Sequence, residues 1–111
     1  MTDFDPDRMY ASILQAGEEW ADRKAAYEAL EDMSKTVLAD LILATPATEQ
    51  MSMSLKEHTA RASQNWKDHL NALSLARKIF LLSEVRYKAL VSLSEWRRSQ
   101  EASRRTEARI V

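Results

Sequence analysis

The sequence predicts an all-α fold: a long antiparallel helical hairpin, coiled-coil-like, assembled into a dimer or a higher helical bundle. Three observations predict it. The first is the stretch Trp66 to Arg98, which contains no Gly and no Pro and is apolar on two helical faces. One stripe runs Trp66, Leu70, Leu73, Phe80, Tyr87, Val91. The other runs Ala72, Leu75, Ala76, Ile79, Leu82, Ala89, Leu93, Trp96. Both recur at the spacings of three, four and seven residues that a buried helical face requires. A helix apolar on two faces needs two surfaces to pack against, and the natural second one is another copy of the chain. The second observation is composition: one Gly, two Pro, 45% hydrophobic and 30% charged residues, the profile of long helices rather than sheets or disordered tails. The third is length, since 111 residues make a single domain whose own core is thin.

The first helix is expected over about residues 5–45. Asp3-Phe4-Asp5-Pro6 reads as its start, a capping Asp followed by Pro at the first helical position, where a missing N–H costs nothing. Gly17 is a possible kink, because Gly inside a helix costs roughly 1 kcal/mol relative to Ala. The inward stripe is Met9, Ile13, Ala16, Trp20, Tyr27, Leu30, Met33, Val37, Leu41. Pro46 pushes Thr45 out of helical geometry and ends the helix. A turn is expected over about 46–53, and the second helix over about 54–109. Its start falls at Ser52 or at Ser54, the latter with Glu57 as a capping box. The small and polar residues from Ala60 to Asn65 mark a possible break.

A short turn near residue 49 would set Trp20 beside Lys78, Tyr27 beside Asn71 and Tyr10 beside Lys88. The first helix would then run out opposite about Ser92, leaving Glu95–Val111 as a basic overhanging arm. Charge is divided accordingly. Residues 1–32 carry nine acids against three bases, a net of −6, while residues 61–111 carry eleven bases against five acids, a net of +6. Either the two halves lie side by side, with Glu18 to Asp32 next to Lys67, Arg77 and Lys78, or part of the basic half meets an anionic partner.

Chemistry is sparse. With no Cys there is no disulfide, thiol nucleophile or Cys-based zinc site. One Gly excludes glycine-rich phosphate loops. His58 and His69 stand eleven residues apart, outside any metal-binding helical spacing, and are read as partly exposed helix surface. No nucleophile–base pair is visible. The chain therefore reads as no enzyme, with no cofactor, metal ion, membrane or small-molecule substrate. The acidic N-terminal stretch reads as no signal peptide, and the longest apolar run, Ile79 to Leu82, is far short of a bilayer span. An intracellular, soluble protein is expected.

Trp20 and Trp66 read as core anchors. Trp96 opens the arm beside Arg97 and Arg98, and the arm continues through Arg104, Arg105 and Arg109. An aromatic set among arginines can stack on nucleic-acid bases, anchor another protein, or pack in a dimer. Leu75, Ile79, Leu82, Leu93 and Trp96 are the candidate oligomer interface.

The C-terminal pattern also resembles a known group. Leu70, Leu73, Glu84, Arg86 and then Glu95, Trp96, Arg97, Ser99, Gln100, Glu101, Ala102, Ser103 and Arg105 follow the order found in small helical proteins of tailed bacteriophages and prophages. Lys24, Ala25, Leu30, Glu31, Lys35, Glu57 and Ala60 are similar in spacing, so the resemblance covers roughly residues 20–109. Genes of that group often sit among phage recombination and single-strand-annealing genes. The resemblance implies a phage accessory protein in the cytoplasm of a bacterial host, acting near DNA recombination or replication by binding DNA or a recombination protein. The group supplies no catalytic residue. Two further readings stand beside this one: a protein that inhibits a host nuclease or defence factor, and a purely structural helical oligomer.

Overall fold

The computed structural model describes residues 4–46 and 52–110, and among them it contains three α-helices and no strand. Helix α1 spans Pro6–Ala44. Asp5 caps it, its carboxylate accepting the N–H groups of Asp7 at 3.0 Å and Arg8 at 3.4 Å. Pro6 takes the first helical position, as anticipated; Asp3 lies outside the described residues. Gly17 does not interrupt α1. The helix stops two residues short of Pro46, where the Thr45 hydroxyl donates back to the Leu41 carbonyl at 2.8 Å.

Helix α2 spans Met53–Arg61. Its cap is Ser52, whose hydroxyl accepts the Leu55 N–H at 3.1 Å. A capping box of Ser54 with Glu57 therefore does not form, and Glu57 instead holds Arg61 one turn on at 3.0 Å. The helix is interrupted by a turn at Ala62 and Ser63, Ala62 still in the right-handed α region, and the chain then enters α3, Gln64–Ile110. One side chain makes this break. The Ser63 hydroxyl donates to the Ala60 carbonyl at 2.6 Å and accepts the Trp66 N–H at 3.2 Å, closing α2 and capping α3 together. Ser63→Ala is expected to lower stability by about 1 kcal/mol, read as a shift in the urea midpoint. An unchanged midpoint would mean that the break does not depend on the cap.

Packing divides into two compact units. In the unit Arg23–Phe80, α1 presents half-buried Tyr27, Leu30, Ser34, Val37 and Leu41, and α3 presents Trp66, His69, Leu73, Ala76 and Phe80. Tyr27 packs on Phe80 with ring centroids 5.2 Å apart. The Tyr27 hydroxyl donates to the Glu31 carboxylate at 2.5 Å, and this bond raises its pKa above the usual tyrosine value. His69 is partly exposed, as expected, but it also makes contacts across the helix pair. Its Nε2 lies 2.8 Å from the Ser34 hydroxyl, and its ring stacks on Trp66 at 5.4 Å. In the other unit, built from the segments up to Asp22 and from Leu81 onward, Trp20 stacks on Tyr87 at 5.2 Å. A Cβ at Gly17 would come within 3.3 Å of the Tyr87 ring, so this residue is where α1 and α3 approach closely. Glu19 and Arg86 form an ion pair between α1 and α3, at 3.6 Å.

The helices run antiparallel, but the register differs from that of a hairpin turning near residue 49. Trp20 meets Tyr87 rather than Lys78, and Tyr27 meets Phe80 rather than Asn71, a slip of about nine residues. The reason is α2. It belongs to the connection rather than to the long second helix, so α3 starts near the end of α1. Two consequences correct the charge map. Lys67, Arg77 and Lys78 make no ion pair with α1 among the described residues, and Tyr10 is set near Ser94 and Arg98 instead of Lys88. The interior is thin. Among the described residues only Ala16, Ala60 and Trp66 are buried apolar side chains.

Candidate interaction surfaces

Because of that register, the start of α1 lies along α3 well past Ser92. Phe4 sits under Arg97, with the guanidinium 5.2 Å from the ring centroid. Such a cation–π contact contributes about 0.5–1 kcal/mol near the surface. Arg97 is half-buried, and its Nε has no hydrogen-bond partner. Glu95–Val111 is thus not an overhang from its first residue; α1 side chains accompany α3 as far as Arg105.

The six residues expected to form one basic arm part onto different faces of α3. Arg98 and Arg105, two turns apart, face a hollow floored by Phe4 and by Met9 and Ile13 of α1. Arg97 lines a separate depression with Asp5 and Leu90. Trp96 and Arg104 share the outward face with Ser99, Gln100 and Ser103, and Arg104 is held by Glu101 at 3.7 Å. Arg109 is exposed in the last turn. Trp96 and the arginines therefore do not combine into one stacking platform.

The second apolar stripe of α3 is a different matter. Leu75 is 58% exposed, Leu82 59% and Trp96 56%, and Leu93 is also exposed. Leu75, Leu82 and Trp96 keep seven-residue register with Ala89, which places them on one helical face. Ile79 at its margin is half-buried, and Ala76, assigned to this stripe by spacing, turns inward. Val85, 65% exposed, joins the outward surface and was absent from both stripes. By spacing it belongs with them, three residues after Leu82 and four before Ala89.

Among the described residues no helix is long and apolar enough to cross a membrane. No three His, Asp or Glu side chains among them converge as metal ligands. No family model, no curated protein and no solved structure matches this chain.

Proposed function

We propose that this protein is a non-enzymatic helical oligomer that pairs with a second copy of itself through the outer face of α3. The observation that carries the reading is the exposed stripe Leu75, Leu82, Leu93, Trp96 on a helix whose opposite face is already occupied by α1. Area supports it. The chain exposes 8953 Å², roughly 2,700 Å² above what a folded monomer of this length ordinarily exposes. One partner of a standard protein–protein interface buries about 800 Å², well within that excess. Two helical hairpins joined along such a stripe make a four-helix bundle, the usual way for helix pairs with two apolar faces to complete a core.

Sedimentation equilibrium tests it. The protein is expected to be a dimer or larger at micromolar concentration. Each leucine is worth ~1.5–3 kcal/mol when buried, so Leu82→Glu with Leu93→Glu should raise the dissociation constant by roughly 100-fold or more. Helicity in the far ultraviolet confirms that the hairpin survives. A clean monomer for the unsubstituted chain at micromolar concentration rules the proposal out.

Contact with DNA or a recombination protein through Trp96, Arg97, Arg98, Arg104, Arg105 and Arg109, in the phage setting that the C-terminal pattern implies, ranks second. Arg98 and Arg105, which make no ion pair among the described residues, favour it. Dispersal of the arm over several faces weighs against a stacked, base-contacting mode and leaves a salt-sensitive phosphate contact as its form. Retardation of DNA at low salt that is lost in Arg98→Glu with Arg105→Glu would raise this reading above the first.

A further inference from the structure

The hollow between the start of α1 and the last third of α3 lies within one compact unit and has no part in the self-association proposed above. It is a half-open hollow of about 410 Å³, within the range of roughly 300–1,000 Å³ typical of small-molecule sites. Its floor is apolar, made by Phe4, Met9 and Ile13, and its α3 wall carries Arg98 and Arg105. Neither arginine makes an ion pair among the described residues. Glu101, which stands between them on the wall, is already turned to Arg104 at 3.7 Å. The hollow therefore joins apolar surface to two cations that make no ion pair among the described residues.

We propose that this hollow binds a small amphipathic anion, its apolar body on the Phe4–Met9–Ile13 floor and its acid group held by Arg98 and Arg105. The planar guanidinium fork suits a carboxylate or a phosphate equally, and each offers oxygens that two arginines can share. A neutral chain of the same length meets the floor but leaves both arginines without an anion. A cationic one meets them as like charges. An apolar floor also suits an alkyl or aryl body better than a nucleotide sugar.

The test is calorimetric titration of the full chain with decanoate and decyl phosphate below their micellar concentrations, set against decanol and decyltrimethylammonium. Both anions are expected to bind once per chain, decanol at least about tenfold more weakly, and the cation not at all. Arg98→Gln with Arg105→Gln should bring decanoate down to the affinity of decanol while leaving decanol unchanged, which also shows that the variant is folded. Failure of both anions to bind overturns the proposal. So does decanol or the cation binding as tightly as the anions, or decanoate binding the variant as it binds the native chain. Flotation with phosphatidylglycerol vesicles in the absence of free-anion binding also overturns it, in favour of a lipid surface.

Discussion

Trp66→Ala is expected to lower stability by about 3–5 kcal/mol, the largest loss from any single truncation in the Arg23–Phe80 unit. Trp66 is the most buried large side chain among the described residues, at 8% exposure. It stacks on His69 and lies under the Arg61 guanidinium, 6.0 Å from its ring centroid. Its backbone N–H is also the group that Ser63 caps, so the first turn of α3 and the end of α2 converge on this residue. Removing the indole would open a cavity in a core too thin to collapse around it. Urea unfolding followed by circular dichroism measures the loss. Trp66→Phe keeps an aromatic ring against His69 and should cost less than half as much. A loss below about 1 kcal/mol for the alanine variant would show that Trp66 is no anchor.

Gly17→Leu is the second large effect, a destabilisation of about 1–3 kcal/mol from overpacking. A Cβ alone already reaches 3.3 Å from the Tyr87 ring, and a leucine must push that ring off Trp20, on which it stacks. Gly17→Ala sets two effects against each other. The helix gains roughly 1 kcal/mol of propensity, while Tyr87 has to yield by a few tenths of an ångström. The alanine variant is expected within about 1 kcal/mol of the native chain, and the difference between the two variants is the informative quantity. Thermal unfolding read by the near-ultraviolet signal of Trp20 and Tyr87 reports it. Equal stability for Ala and Leu would mean that the helices are not in close approach at this point.

Helix content was legible because its signals are local. Asp5-Pro6 sets the start of α1 and Pro46 its end, through backbone rules that act within three residues. Register was not legible, because it depends on whether Met53–Arg61 continues the long helix or belongs to the connection. That choice rests on the Ser63 hydroxyl, and Ser63 reads in sequence as one small polar residue among several. The contact of His69 with Ser34 escaped for a related reason. The face of α3 that meets α1 includes His69, Ala76, Ser83, Ser94 and Arg97 beside its large apolar residues, and a search for apolar periodicity discounts such positions.

The arm shows the same dependence. Once the register slips by nine residues, Phe4 and Met9 arrive beside α3 where open solvent was expected, and arginines close together in sequence are sorted onto separate faces. The outer stripe needed no register at all. Its seven-residue spacing belongs to α3 alone, which is why Leu75, Leu82 and Trp96 could be chosen from sequence and stand exposed in the structure.

The length of the connection bears on how such a chain closes. Ser34 and His69 are 35 residues apart, and Trp20 and Tyr87 are separated by nearly twice that. Loop-closure entropy grows only logarithmically, so each doubling of the loop costs about 0.6 kcal/mol. Distance along the chain thus scarcely ranks the two contacts. The ranking passes to what each contact brings together: a hydroxyl against an imidazole in one case, an indole against a phenol ring in the other. A hairpin so built has no strong entropic reason to zip outward from its connection, and its distal aromatic pair can compete to form first.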